Sequence, residues 1–170
     1  EESYGCLIGT YARDKDAVSA TVALCEAAAY YATQGKTLWD VMLEMYEKYG
    51  YYLDRITSMD FPGLEGMDKM QSMLNAFREN PPKEIAGYKV EKVRDYSNDT
   101  ILDVATGETS PIGLPNSNVL YYELEGGAWV CVRPSGTEPK IKFYYGVKAD
   151  SMEAAQAESD KLDAWAKSQG

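Results

Sequence analysis

At 170 residues and 45% hydrophobic content, the chain can bury one sizeable core with room for an appended fragment. Its formal net charge of −10 argues against a nucleic-acid binder, and no apolar run nears the ~20 residues of a membrane span. Histidine is absent, which removes the commonest general base and metal ligand, and the widely spaced Cys6, Cys25 and Cys131 read as small core residues of a reducing compartment.

In chain order, the first stretch is Glu1-Glu2-Ser3-Tyr4-Gly5, which is either a solvated acidic terminus or a set of acceptors for sugar hydroxyls. Arg13-Asp14-Lys15-Asp16 follows, with Asp14 or Asp16 placed to cap a helix. Lys15 gains nothing from the helix dipole, so it is either one more solvated charge or a functional cation. The run from Ala17 to Thr33 is apolar nearly all round and is expected to be buried between layers. Thr37 caps a second helix whose Leu38, Val41, Met42, Met45, Tyr46 and Tyr49 share a face. Gly50 closes it, and a boundary between two domains, 1–50 and 51–170, is expected there.

Beyond that point the pattern alternates between strand and helix. Tyr51 to Met59 reads as a strand, and Gly66 to Arg78 as a helix with Met67, Met70, Leu74 and Phe77 on its packed stripe. Tyr88 to Tyr96 reads as another strand, and Ser97 to Asn116 as a long loop with one short strand at most. Val119 to Leu124 and Ala128 to Val132 flank Glu125-Gly126-Gly127, a hairpin signal. Ile141 to Val147 alternates with Ile141, Phe143, Tyr145 and Val147 on one face and Lys142 and Tyr144 on the other. Asp150 and Glu153 form a capping box for a last helix whose Met152, Ala155, Leu162 and Trp165 pack on the sheet. The expected class is α+β: an antiparallel sheet of four or more strands with two helices on one face, preceded by a helical remnant of an α/β domain.

The chemistry concentrates in Arg133-Pro134-Ser135-Gly136-Thr137-Glu138-Pro139-Lys140-Ile141-Lys142, between two β-rich runs. Gly136 lets the backbone turn its N–H groups inward, Ser135 and Thr137 add hydroxyls, and Arg133 and Lys142 add charge at either end. That combination suits a phosphate dianion; a β-turn with scattered charges is the plain alternative.

This stretch resembles the phosphate-binding loop in the last domain of the α-D-phosphohexomutases, the superfamily of phosphoglucomutases and phosphomannomutases. Glu1-Glu2-Ser3-Tyr4-Gly5 resembles the end of the superfamily's sugar-recognition loop in its third domain, and Arg13-Asp14-Lys15-Asp16 the charged stretch after it. The resemblance implies the end of domain three over 1–50 and the phosphate-binding domain four over 51–170. It implies that Glu1 and Ser3 meet sugar hydroxyls, and that Lys15 reaches the substrate's non-transferred phosphate. Arg133, Ser135, Gly136 and Thr137 would grip that same phosphate. Lys142 stands where many relatives have arginine, keeping the charge without the bidentate fork. The Glu-Glu-Ser form leans towards glucose phosphates.

The implied parent is a cytoplasmic enzyme that interconverts glucose 1-phosphate and glucose 6-phosphate through a phosphoserine, with glucose 1,6-bisphosphate as the reorienting intermediate. The superfamily's nucleophile lies in a Ser-His-Asn-Pro-like loop and its Mg2+ site in an Asp-Gly-Asp-Gly-Asp run; neither motif occurs in these 170 residues. This stretch is therefore expected to be inactive alone, with a sugar phosphate and the parent's N-terminal domains as partners, and neither nucleic acid nor membrane. A pentose-phosphate or bisphosphate-synthesising mutase of the superfamily would share these motifs, and a stand-alone sugar-phosphate-binding module is the reading from another class.

Overall fold

The computed structural model describes residues 6–11 and 13–170. The chain divides into two compact units, Glu1–Gly50 and Tyr51–Gly170. In the first, helix α1 (Ala17–Ala32) starts at Asp16, whose carboxylate accepts from the backbone N–H groups of Val18 and Ser19. Helix α2 (Leu38–Tyr49) starts with a capping box in which Thr37 and Asp40 serve each other's backbone N–H. The expectation that α1 is buried is not met, since none of its residues is buried and Val18, Val22 and Leu24 are exposed. Within its unit α1 has α2 beside it, and one neighbouring helix cannot enclose an all-round apolar surface.

The second unit is an antiparallel α+β fold. Its strands are β1 (Tyr51–Asp60), β2 (Glu84–Ile85), β3 (Tyr88–Asp95), β4 (Thr100–Asp103), β5 (Thr109–Ser110), β6 (Leu120–Leu124), β7 (Trp129–Pro134) and β8 (Lys140–Ala149). They lie in the order β1-β8-β7-β6-β3-β4-β5, with β2 paired to β3. Helix α3 (Gly66–Glu79) follows β1, and α4 (Met152–Lys167) ends the chain. The 97–116 segment is more ordered than the sequence suggests, because β4 and β5 pair within it. Asp99 organises the rest: its carboxylate accepts from the N–H of Ile112 at 3.1 Å and of Gly113 at 2.8 Å. Arg78, in the last turn of α3, bonds Ser97 at 3.1 Å and also reaches Asn118.

Period-two alternation decides which side of the sheet is core. Ile141, Phe143, Tyr145 and Val147 of β8 are buried, as are Val130 and Val132 of β7 and Leu120, Tyr122 and Leu124 of β6. Met70 and Leu74 of α3 and Ala155, Leu162 and Ala166 of α4 cover that face. Phe77 of α3 meets the rings of Tyr122, Phe143 and Trp165 edge-on or tilted at 6.2–6.5 Å between centroids. Met67 was expected on this stripe but is exposed, and Met73 packs against the core in its place. The α4 cap also differs: Ser151, one residue past Asp150, accepts from the Ala154 N–H at 3.1 Å. The serine hydroxyl is what sits in the extended N-cap conformation, so it closes the turn.

A polar cluster pins α4 to the edge strand. Thr57 donates to Asp163 at 2.6 Å, Tyr145 donates to the same oxygen at 3.0 Å, and Lys167 holds the other oxygen at 2.7 Å. Burial raises the Asp163 pKa, but the bonds from Lys167, Thr57 and Tyr145 outweigh it and hold the carboxyl at about 2. A carboxyl depressed in the folded state stabilises above its unfolded pKa of about 3.9, and that stability is lost as pH falls towards the folded value. The gap in unfolding free energy between wild type and Asp163→Asn should therefore shrink as pH falls through this range, measured by urea unfolding. At neutral pH, Leu162→Ala should cost about 2–5 kcal/mol in the same assay, because it opens a cavity under a fully buried side chain.

Candidate functional site: a cationic strand pair and its loop

Strand β7 runs on through Pro134 and β8 begins at Lys140, so the connecting loop is shorter than the sequence suggests, Ser135–Pro139. Arg133 and Lys142 are consequently strand residues, and the register sets them directly opposite each other. Their neighbours Val132 and Phe143 are buried against the helices, so alternation turns Arg133 and Lys142 to the other face of the sheet. Directly opposed residues on one face have β-carbons about 4.5–5.5 Å apart, so one anion can meet both cations. The sequence alternation of β8 anticipated the facing of Lys142; the pairing with Arg133 needed the register.

The loop is closed at its base by the Ser135 N–H donating to the Lys140 carbonyl at 2.7 Å. Inside it the Ser135 hydroxyl accepts from the Glu138 N–H at 3.2 Å and the Thr137 N–H at 3.4 Å. Two consecutive amides thus end on the Ser135 oxygen, a serine turn that fixes the shape of the loop and the place of that hydroxyl. Thr137 and Gly136 are exposed at the tip. Lys15, by contrast, lies in the first unit just ahead of α1, exposed, its N–H donating to the Asp14 carboxylate at 2.8 Å. Glu1 and Ser3 lie outside the described residues.

Sequence reasoning did not single out Lys140, Asp60 or Gly66. Lys140 bridges Asp60 at 3.4 Å and Glu138 at 3.5 Å, and its pKa is raised first by the bond to Asp60. The Phe61 N–H donates to the Pro139 carbonyl at 2.8 Å. A β-carbon on Gly66 would run into the Phe61 carbonyl and lie 3.2 Å from Pro139 Cβ. The signal available in the sequence was a glycine at the first helical position, where it costs helix propensity.

Elsewhere on this face the row Tyr121, Cys131, Tyr144 crosses three strands. Cys131 is partly covered, and burial pushes its thiol up to about 11, with Arg133 opposing. Cys6 and Cys25 are exposed, against the expectation that all three cysteines are core residues. Neither lies on an element with a face closed over it, whereas Cys131 sits in a central strand.

The model for the family described as phosphoglucomutase/phosphomannomutase, C-terminal domain, matches residues 73–163. The chain belongs to the phosphoglucomutase/phosphomannomutase family. The phosphoglucomutase of a bovine Staphylococcus aureus strain is 39% identical over 153 residues, which is 90% of this chain and 28% of that protein. That of strain COL is 38% identical over the same length. Among solved structures, the open form of parafusin, a phosphoglucomutase from Paramecium, superposes with a TM-score of 0.59 over 94% of this chain and 28% of its own. At 16% identity that likeness concerns the fold. The chain thus spans little more than a quarter of the relatives it matches.

Thiol labelling separates the three cysteines. At pH 8 a maleimide should modify Cys6 and Cys25 in the folded chain and leave Cys131 intact until denaturant is added, read by mass spectrometry of the peptides.

Proposed function

We propose that this chain is the C-terminal part of a phosphoglucomutase-type phosphohexomutase and that it holds the substrate's non-transferred phosphate. The observation that carries the reading is the pairing of Arg133 with Lys142 beside a loop whose Thr137 and Glu138 amides hold the Ser135 hydroxyl. Arg133 gives directional charge-assisted bonds, Lys142 a point charge, and Ser135, Thr137 and the backbone of Gly136 the neutral donors. Glu1 and Ser3 would receive the sugar hydroxyls and Lys15 would reach the same phosphate. A clamp of this kind suits a bisphosphorylated hexose, because it reads a phosphate without regard to the carbon that carries it.

The reaction of such a parent moves a phosphoryl group between C1 and C6 of glucose phosphate in the cytoplasm. It needs a phosphoserine, and Mg2+ to neutralise charge on the transferring group. Among the described residues no three His, Cys, Asp or Glu side chains lie together as a metal site. No helix among the described residues is long and apolar enough to cross a membrane. The role of this part is positioning: a firmly held distal phosphate fixes the reacting hydroxyl, which can supply a large share of the rate.

Titration with glucose 6-phosphate, followed through backbone amide shifts, should move Arg133–Lys142 most. Arg133→Ala should weaken binding about tenfold or more, since a charge-assisted bond is worth roughly 1.5–3 kcal/mol. Lys142→Ala should cost less. Largest shifts in 97–116 would overturn the reading. The 170-residue chain should not turn over glucose 1-phosphate, with or without magnesium. In a longer chain that carries the nucleophile and metal motifs, Arg133→Ala should raise KM and slow turnover together.

A further inference from the structure

Two lysines leave the loop on β8, Lys140 and Lys142, and the register gives them different surroundings. Opposite Lys142, β1 places Ser58, a neutral residue; opposite Lys140 it places Asp60. Lys140 also donates its N–H to the Glu138 carbonyl at 2.8 Å and receives the Ser135 N–H on its own carbonyl at 2.7 Å. Both limbs of the loop therefore end on one residue. Its ammonium is drawn towards Asp60 and Glu138, at 3.4 and 3.5 Å.

The next residues of the chain add two further holds. The Phe61 N–H fixes the Pro139 carbonyl at 2.8 Å, and the bare α-carbon of Gly66 lets the start of α3 close on Phe61 and Pro139. Glu65, the residue ahead of that helix, makes no side-chain cap, so the first turn of α3 is set by this packing rather than by its own cap.

We propose that the segment Asp60–Gly66 is the positioning device of the anion loop, and that Lys140 serves it as a strut rather than as a ligand of the anion. Three contacts of different kinds, an ion pair, a backbone hydrogen bond and a glycine-dependent close approach, converge on Pro139 and Lys140. Thr137 and Glu138, whose amides hold the Ser135 hydroxyl, are one or two residues away, so a shift of Pro139 displaces that hydroxyl. The inference rests on the loop being the anion site.

The test turns on a sign. Asp60 carries negative charge close to the loop, so removing it would strengthen anion binding if electrostatic field were all that mattered. A strut released from its partner weakens binding instead. Inorganic phosphate is titrated into the 170-residue chain at constant ionic strength, following the amide shifts of Arg133–Lys142, for wild type, Asp60→Asn, Lys140→Met, the double variant and Gly66→Ala. Asp60→Asn should weaken phosphate about two- to fivefold, the range an exposed ion pair commands. In the Lys140→Met background Asp60→Asn should have no further weakening effect. Gly66→Ala should weaken it more, about tenfold, with dispersed amide signals retained; if that variant loses dispersion, the Asp60/Lys140 cycle decides. Unchanged or tighter binding in Asp60→Asn overturns the inference while leaving the site in place. Absence of wild-type shifts in Arg133–Lys142 removes the proposed function, and this inference with it.

Discussion

The antiparallel register of β7 on β8 is the constraint on which the rest of the second unit depends. It sets Val132 opposite Phe143 and Arg133 opposite Lys142 in consecutive steps. Because side chains alternate with a period of two, the first pair must enter the core if the second is to leave it. A slip of β8 by one residue would turn Lys142 into the core and expose Phe143, whose ring meets Phe77 and Trp165. The hydrophobic core therefore holds the cationic pair in place without touching it.

The two faces of the sheet divide the work. One takes α3 and α4, with fully buried Leu74, Tyr122, Phe143 and Leu162 supplying the packing. Of the polar groups admitted there, Thr57 and Tyr145 meet Asp163 and Tyr88 donates to Glu158 at 2.5 Å, while the fully buried Ser159 hydroxyl has no hydrogen-bond partner among the described residues. Buried hydroxyls cost free energy unless bonded, so these pairs fix where α4 lies along β1 and β8. The other face carries the cations and a line of aromatic side chains, among them Tyr121 stacked on Trp129 at 5.5 Å. There Gly146 leaves room for Trp129 and Asp54, since a β-carbon would strike both.

Family membership gives this division a context. The chain spans 28% of the length of the phosphoglucomutases it matches. The 135–139 loop joins two directly paired strands, so the sheet holds both of its ends.

The sequence by itself determined the class of the fold and the local elements of its second unit. Alternation in Ile141–Val147 and the Glu125-Gly126-Gly127 turn are local signals, set by the pleat and by backbone sterics, and they survive without knowledge of any partner. So do the Asp16 and Thr37 caps, whose bonds span three residues. What lay beyond reach were the facts that depend on distant segments. Met67 and Met73 are both apolar residues on α3, and only the placement of α3 on the sheet selects Met73. Segment 97–116 reads as loop until β4 is seen to pair with β3 and β5. Most plainly, Asp60 and Lys140 are eighty residues apart in the chain and neighbours across β1 and β8. No local pattern marks such a contact, because its free energy comes from strand pairing that closes a long loop of chain, and only the folded sheet can bring it about.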